Sequence, residues 1–334
     1  MAGEGARPPG DAGVTLLTSR RVLDLSRGPA GMFCGKLLHW MGAEVTLVVA
    51  PGDPAAVSWE PLAAIDGGAP MSLRHLHYNH GKARLEVDLR SPAGRQWLFE
   101  AAGQTDIIVE DWGGDDVFGR ATGVRLGDLH RRNPDLVLCR VSPFGQGGPY
   151  ASVPASELSV LASSGLLYLT GDPAESPLRV GEDLGWNLAG LHAAAGAVLA
   201  LVKALRSGSG QEVDVSAQAS IAVTLEAPYG RVLADAPVTR MGSRHYATSP
   251  CNIYRATDGW VGVCANQDVQ IAGIIDAVSR GHYAEPIPPV DDLRRKPSAS
   301  LRFDAVLTEL ITERSITELV DESRRRGLLM AKVN

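Results

Sequence analysis

The sequence predicts an α/β protein, with a doubly wound domain on a parallel sheet followed by a smaller α+β domain. The first observation is a strand–turn–helix–glycine–strand pattern over residues 21–49, which is typical of a βαβ unit. The second is that short apolar strand patterns alternate with helix patterns as far as Val141. The third is a change of character near Met241, after which two strand patterns follow each other directly.

In the first domain, each strand pattern is a short apolar run bounded by turn residues. The predicted strands are Arg21 to Leu25, Ala43 to Val49, Leu85 to Leu89, Thr105 to Glu110 and Leu136 to Val141. The predicted helices include Met32 to Met41, which ends at Gly42, a helix that opens at Ser91-Pro92, and Leu126 to Arg132. Residues between Pro51 and Met71 look like a long loop, and Tyr78 to Arg84 like a turn.

Beyond the glycine-rich turn at 145–148, three further elements complete the large domain. They are a long apolar helix over Leu188 to Leu205, a strand ending at Ser216, and a helix over Ala217 to Leu233 with a kink near Pro228. In the small domain, two strands within Tyr246 to Cys264 are joined by a Thr257-Asp258-Gly259 turn. Helices are expected over Asp268 to Ser279 and within Leu301 to Arg326. We therefore expect a flexible tail over residues 1–14, a large domain over 15–235 and a small domain over 236–334.

Composition excludes several classes of protein. The 334 residues are 45% hydrophobic and 21% charged, as in a globular protein with a sizeable core. The net charge of −6 argues against a nucleic-acid-binding surface. The first 13 residues lack the apolar core of a signal peptide, and Leu188 to Leu205 carries His192 and Lys203, which suits a buried helix better than a membrane span. We expect a cytoplasmic protein with no nucleic-acid or membrane partner.

The sequence lacks the common motifs for nucleotide cofactors and metals. No G-x-G-x-x-G or Walker pattern follows a strand, so nicotinamide and nucleoside-triphosphate sites are unsupported. Cys34, Cys139, Cys251 and Cys264 are scattered without a Cys-x-x-Cys pair or a histidine cluster. The sequence therefore predicts buried, reduced thiols and no metal site.

Glu157 is the candidate reactive residue. It follows the turn-rich segment Ser142 to Tyr150 and falls in the first turn of a helix predicted to begin at Pro154. The partial positive charge of a helix N-terminus favours an anion there. From these residues alone, Glu157 is either a reactive carboxylate beside a flexible loop or a helix-start glutamate that only complements the dipole.

Nine short motifs then occur in one order over nearly the whole chain. They are Val22 to Gly31, Leu38 to Val45, Asn79 to Lys82, Val87 to Gly94, Asp106 to Trp112, Asn133-Pro134, Phe144 to Tyr150, Ser207 to Ser216 and Thr257 to Trp260. Together they resemble the class III CoA-transferases, the CaiB/BaiF family that includes formyl-CoA transferases and α-methylacyl-CoA racemases. The resemblance implies a Rossmann-like large domain and a small domain in ring-like subunits. Two such subunits interlock, as a homodimer or as a heterodimer with a related subunit.

The resemblance also implies a reaction. In these transferases an aspartate attacks an acyl-CoA thioester, and the acyl group and CoA pass through covalent anhydride and thioester intermediates. The position of that aspartate corresponds to Glu157, so acyl-CoA and a carboxylic acid are the implied substrates. Glutamate is one methylene longer, which changes its reach by roughly 1.5 Å, and a displacement of about 1 Å can cost ~100-fold in rate. Glu157 therefore either works in an adjusted pocket or marks a weakened activity.

CoA contacts are likewise implied by matching positions. They fall on Arg27, Pro29 and Ala30 in the first loop, Lys82 and Arg120 near the phosphates, Asp111 and Trp112 against the pantetheine, and Gly145 and Gln146 in the glycine-rich turn. Other roles are open: Trp112 suits core packing and Lys82 a solvated surface. The Asp111 carboxylate would repel a nearby phosphate.

Three departures from the family pattern keep alternatives open. Ala50 stands where an arginine often contacts CoA, Arg240 to His245 is not the glycine-rich lid of formyl-CoA transferases, and the family's C-terminal return segment does not follow Lys332. We expect an acyl-CoA:carboxylate CoA-transferase. The alternatives are a racemase, for which His130 is a candidate partner of Glu157, and a catalytically impaired CoA-binding subunit of a heteromeric transferase.

Overall fold

The computed structural model describes residues 16–64, 67–114, 116–181, 183–225, 232–233, 235, 238–245, 248–279, 281 and 285–334. The tail predicted over residues 1–14 and the kink near Pro228 lie outside these ranges. The chain divides into two compact units, Met1–Leu166 with Arg179–Tyr229, and Leu167–Leu178 with Gly230–Asn334. The segment Leu167–Leu178, which the sequence assigned to the large domain, belongs to the second unit.

A six-stranded parallel sheet forms the centre of the first unit, in the order β5-β2-β1-β6-β7-β8. The strands are β1 (Arg21–Asp24), β2 (Glu44–Val49), β5 (Ala83–Glu86), β6 (Ile107–Glu110), β7 (Val137–Ser142) and β8 (Glu212–Ser216). Every residue of β6 and β7 is buried, which explains their nearly continuous apolar sequence. The doubly wound α/β fold predicted from the sequence is confirmed.

Helices of the first unit begin where the sequence supplies caps or a proline. α1 begins at Pro29, earlier than the predicted Met32, because proline is favoured in the first helical position. Ser91 caps α4 by accepting the N–H of Gly94. The helices are α1 (Pro29–Trp40), α2 (Ala55–Ser58), α3 (Leu73–Asn79), α4 (Pro92–Ala102), α5 (Val117–Thr122), α6 (Leu126–Arg132), α7 (Glu157–Ser163), α8 (Leu166–Leu169, which runs into the second unit), α9 (Leu184–Ser207) and α10 (Ala217–Ala222), with a 3₁₀ turn at Val223–Leu225.

The segment predicted as a long loop contains regular structure. It holds α2 and a small antiparallel hairpin of β3 (Leu62–Ala64) and β4 (Pro70–Ser72). The Ser72 side chain then caps α3, whose last residues, Tyr78 and Asn79, had been assigned to a turn. These elements are too short to show a periodic apolar pattern, which is why the sequence missed them.

α9 is the longest helix and packs against α1 and the sheet. Its buried face consists mainly of small residues, among them Ala189, Ala193 and Ala197. By length and composition alone α9 could cross a membrane, and 44% of its most apolar stretch is buried inside the protein. The small residues of the buried face pack against α1 and the sheet, whereas several large apolar side chains of α9 are exposed.

The second unit contains a three-stranded antiparallel sheet in the order β11-β10-β9. Its elements are β9 (Cys251–Ala256), β10 (Gly259–Cys264), α11 (Asp268–Val278), α12 (Val290–Arg295), α13 (Pro297–Thr312), α14 (Ile316–Arg326) and β11 (Met330–Lys332). Phe303, Val261 and Ile274 lie at the centre of its apolar core. The predicted α+β character of this part of the chain is confirmed.

Candidate active site

Glu157 is the first residue of α7, and the residue is only 7% exposed. The preceding Ser156 caps the helix, because its Oγ accepts the N–H of Ser159 while the Ser159 hydroxyl accepts the N–H of Ser156. This reciprocal capping fixes the backbone where the loop after β7 enters the helix. The sequence predicts that this helix begins at Pro154. In the structure it begins at Glu157.

Three donors orient the Glu157 carboxylate. The N–H of Gly185 donates to Oε1 at 3.0 Å, and the N–H of Asp183 donates to Oε2 at 3.1 Å. The guanidinium of Arg179 donates to Oε2 at 3.2 Å. Both amides lie at the N-terminus of α9, so a second helix N-terminus, besides that of α7, faces this anion. The carboxylate is thus held in one orientation at the junction of two helices.

Asp183 is itself held by an extended network. Its backbone has φ of +62°, a left-handed conformation that a non-glycine residue adopts only at some cost in energy. Its carboxylate accepts two hydrogen bonds from Arg74 and one from the Tyr78 hydroxyl at 3.0 Å, and the Tyr78 oxygen also lies 2.9 Å from the side-chain amide of Asn187. Burial and the charge of Asp183 raise the pKa of Tyr78, which keeps the hydroxyl a donor. The network fixes the amide that contacts Glu157.

A cavity of about 360 Å³ lies at the carboxyl ends of β1, β6 and β7, and Glu157 itself is not among the residues that line it. Its wall includes Pro29, Ala30, Asp111 and Trp112, which the sequence had assigned to CoA binding. The same wall includes Ala155, two residues before Glu157, and Trp186, the residue after Gly185. The cavity therefore reaches residues close in sequence to Glu157 and to its donor Gly185.

A second cavity of about 440 Å³ lies at the carboxyl ends of β1, β2 and β5. Trp112 lines both cavities, and Arg27 lines this second one together with residues 48–55. The Arg27 guanidinium stacks on the Trp112 ring at 3.5 Å, and the indole N–H donates to the carbonyl of Leu25 at 2.7 Å. In open α/β sheets the carboxyl ends of the strands form the usual ligand crevice, so these two cavities form a candidate substrate channel.

Asp111 caps α1. Its carboxylate accepts the N–H groups of Arg27 at 2.6 Å, Gly28 at 3.0 Å and Gly31 at 3.0 Å. Burial raises the pKa of Asp111 to about 7, against the lowering effect of these hydrogen bonds. The carboxylate occupies the N-terminus of α1, the position where a phosphate would otherwise meet the helix dipole. Asp111 thus shapes the wall of the 360 Å³ cavity and already satisfies the amides there.

Lys82 points into the protein. Its ammonium donates to Asp24 Oδ2 at 2.7 Å, to the carbonyl of Met32 at 2.7 Å and to Asn79 Oδ1 at 2.9 Å. The side chains of Lys82 and Asp24 are 1% and 0% exposed. With three bonds made inside the fold, Lys82 acts structurally in this conformation. Its predicted contact with a CoA phosphate stays a prediction.

Three other predicted residues lie outside the walls of both cavities. Arg120 is exposed on α5. Gly145 has φ of +94° and donates to the Ser142 hydroxyl, which explains the glycine in this turn. The Gln146 side chain donates to the carbonyl of Gly113 at 3.2 Å, and Gly113 lines the 360 Å³ cavity. Gln146 therefore holds Gly113, a residue of the cavity wall, without lining the cavity itself.

His130, the residue considered for a racemase, is engaged elsewhere. Its Nε2 bonds to the carbonyl of Leu136 at 2.9 Å, within the packing of α6 against the sheet. The donors recorded at Glu157 are Arg179, Asp183 and Gly185, none of which is a histidine. Within the described ranges, no group of three His, Cys, Asp or Glu side chains could hold a metal ion.

The comparison with protein families decides the relationship. The model of CoA-transferase family III matches residues 17–334. The chain belongs to this family. The family assignment made from the ordered motifs is thereby confirmed, and Glu157, with its two amide donors, lies within the matched region.

Individual relatives agree with this assignment. The succinate–glutarate CoA-transferase of Agrobacterium fabrum is 28% identical over 273 residues, which cover 80% of this chain and 68% of the relative. Subunit BbsE of the succinyl-CoA:(R)-benzylsuccinate CoA-transferase of Thauera aromatica is 36% identical over 207 residues. These residues cover 62% of this chain and 50% of BbsE. The chain thus spans about half to two thirds of the length of these relatives.

A solved structure shows the same fold. The crystal structure of a CAIB/BAIF family protein from Brucella suis matches with a TM-score of 0.76 and 22% sequence identity. The match covers 95% of this chain and 83% of the Brucella chain. This likeness supports the arrangement of the sheet and helices described above.

Proposed function

We propose that the protein is an acyl-CoA:carboxylate CoA-transferase in which Glu157 is the nucleophile. The observation that carries this proposal is the buried Glu157 carboxylate, oriented by the amides of Asp183 and Gly185. Ala155 and Trp186, close in sequence to Glu157 and Gly185, line the 360 Å³ cavity. Family membership makes a CoA thioester the expected donor, and a carboxylic acid the expected acceptor. An oriented carboxylate is what nucleophilic catalysis requires.

The proposed reaction begins with attack of a Glu157 oxygen on the thioester carbonyl carbon. The C–S bond breaks, CoA leaves as the thiolate, and a mixed anhydride forms. The thiolate then attacks the glutamyl carbonyl, which releases the first carboxylic acid and leaves a glutamyl-CoA thioester. The acceptor carboxylate displaces CoA to form a second anhydride, and the thiolate attacks its acyl carbonyl, which yields the new acyl-CoA and free Glu157.

The hydrogen-bond pattern suggests different roles for the two oxygens. Among the described residues, Oε2 accepts hydrogen bonds from Asp183 and Arg179, whereas Oε1 accepts one from Gly185. We therefore assign the attack to Oε1. Oε2 then becomes the glutamyl carbonyl oxygen, and the donors around it would stabilise the negative charge that develops when the thiolate adds.

Substrate contacts follow from the cavity walls. We place the thioester end of acyl-CoA in the 360 Å³ cavity, near Pro29, Ala30 and Trp186, and the remainder of CoA past Trp112 into the 440 Å³ cavity near Arg27. Arg120 is exposed at the surface, and we retain it as the residue proposed from the sequence to contact a phosphate group. The position of His130 favours this transferase over a racemase.

We also propose that the chain works as a dimer, with a second copy or a related subunit as partner. Large apolar side chains are exposed along one face of α9, with Leu191 at 50%, Leu199 at 71% and Leu205 at 58%. Such a stripe at helical spacing is typical of a surface that another chain covers. The naming of one relative as a subunit is in keeping with this proposal. A location in the cytoplasm also remains a proposal.

The experiment that tests the function is CoA exchange between an acyl-CoA and a panel of carboxylic acids. Glu157→Gln should abolish exchange, because an amide cannot form the anhydride. Glu157→Asp should retain the chemistry at a reduced or raised rate, depending on the spacing of the pocket. Glu175→Gln, at an exposed position, is the matched control and should exchange at the parent rate. Parent-rate exchange by Glu157→Gln, with no partner subunit present, contradicts the proposal.

A further inference from the structure

The hairpin of β9 and β10 brings together two cysteines that are 13 residues apart in sequence. Cys251 and Cys264 are directly paired in the antiparallel ladder, and their sulfur atoms lie 3.2 Å apart. Opposed residues in such a ladder have Cα atoms about 4.5–5.5 Å apart, within the range of about 4.4–6.8 Å that a disulfide spans. The backbone therefore already has the geometry that a cross-link requires.

The two thiols differ in their access to solvent. Cys264 is exposed and Cys251 is partly buried, which corrects the expectation that all four cysteines are buried. Burial and the neighbouring thiol raise the pKa of Cys251 to about 11. Cys264 is thus the thiol that a reagent in solution meets first, and Cys251 is placed to react second. Cys34 and Cys139, by contrast, are fully buried.

We propose that Cys251 and Cys264 are a redox-active pair that forms a reversible intramolecular disulfide. The oxidant is a small disulfide such as glutathione disulfide. The Cys264 thiolate attacks one sulfur of the oxidant and releases one thiol, leaving a mixed disulfide. Cys251 loses its proton, attacks the Cys264 sulfur and releases the second thiol, so that two protons and two electrons pass from the cysteines to the oxidant.

The pair lies where other segments of the second unit join the hairpin. The N–H of Cys264 donates to the carbonyl of Leu329, just before β11, and the carbonyl of Cys251 accepts the N–H of His245. The Ser243 hydroxyl also donates to Asn252, the neighbour of Cys251. A disulfide here would tie together the open end of the hairpin, to which both segments are attached. We therefore expect the oxidised form to unfold at a higher denaturant concentration than the reduced form.

The proposal concerns the second unit alone and is independent of the proposed transfer reaction. Its test is incubation of the reduced, full-length protein with glutathione disulfide at about pH 8, followed by intact mass and peptide mapping. The parent protein should lose about 2 Da and yield a cross-linked peptide pair containing Cys251 and Cys264, and dithiothreitol should reverse both changes. Urea unfolding of the two forms should show the shift to higher denaturant on oxidation.

Single variants separate the two thiols. Cys251→Ser should stop at the mixed disulfide on Cys264, with a gain of about 305 Da, because the second attack is lost. Cys264→Ser should react far more slowly, since Cys251 is less accessible. A cross-link between two chains would overturn the proposal. So would one that involves Cys34 or Cys139, or a parent protein in which Cys251 and Cys264 both remain free to alkylate.

Discussion

Replacing Lys82 with methionine distinguishes a lysine that holds the fold from one that binds a ligand. The ion pair of Lys82 and Asp24 is almost fully buried, at 1% and 0% side-chain exposure, and the ammonium makes two further hydrogen bonds. Removing the lysine leaves the Asp24 carboxylate buried without its counter-charge. Breaking a buried pair in this way costs about 3–5 kcal/mol in the free energy of unfolding. That loss is a large part of the ~5–15 kcal/mol typical of a domain.

The assay is urea unfolding followed by circular dichroism for the parent, Lys82→Met and Arg84→Met. Arg84 is a matched control, because its pair with Glu86 is exposed, at 45% and 47%. An exposed pair contributes about 0–1 kcal/mol, so Arg84→Met should unfold close to the parent midpoint. If Lys82→Met also lost less than about 1 kcal/mol, and its affinity for CoA measured by calorimetry fell, the structural assignment would be wrong and the phosphate contact would be supported.

Three further predictions concern the site and the partner surface. Gly185→Ala would place a methyl group 3.0 Å from Ile221 Cδ1 and 3.6 Å from Glu157 Oε1, so kcat should fall by about 10–100-fold; an unchanged kcat would contradict the proposed positioning. Burial raises the pKa of Asp111 to about 7 in the folded protein. The free energy of unfolding that protonation of Asp111 contributes is therefore complete below about pH 4 and is lost as the pH rises through about 7. From pH 5 to pH 8 the parent should therefore lose more unfolding free energy than Asp111→Asn, and equal losses in urea titrations would refute the argument. Leu199→Glu places a charge on the exposed face of α9 and should convert a dimer to a monomer in light scattering, whereas an unaltered dimer would exclude this face as the interface.

Much of the fold could be predicted because its strands and long helices carry strong local patterns. The helix Leu126–Arg132 has the predicted ends, and β1, β6 and β7 lie within one or two residues of the predicted strands. Short elements such as α3 were missed, since seven residues with a single serine cap do not show a helical period. The region that holds the candidate nucleophile could be predicted only through the ordered motifs.

The surroundings of Glu157 depend on tertiary contacts that leave little trace in sequence. Arg74 and Tyr78 meet Asp183 across separations of 109 and 105 residues. Asp183 before an apolar helix is a recognisable capping signal, but nothing local shows that its amide turns towards Glu157. The burial of the Lys82 side chain could not be predicted either, because a lysine beside a turn is normally exposed to solvent.

The cysteine pair depends on the exact register of the hairpin of β9 and β10. The structure has a two-residue turn at Thr257-Asp258, one residue shorter than predicted, which pairs Ala256 with Gly259. Counting outwards along both strands places Cys251 opposite Cys264. The predicted turn, with Gly259 included, would shift the register by one residue, so the facing cysteines are identified only by the observed pairing.

Mass spectrometry of the protein after incubation with a panel of acyl-CoAs tests the central proposal most directly. If Glu157 is the nucleophile, a peptide containing Glu157 should carry an acyl or CoA adduct through its side chain. That adduct should be absent from Glu157→Gln and present in Glu175→Gln. Exchange of CoA between acids without an adduct on Glu157, or an adduct that persists in Glu157→Gln, would contradict the account.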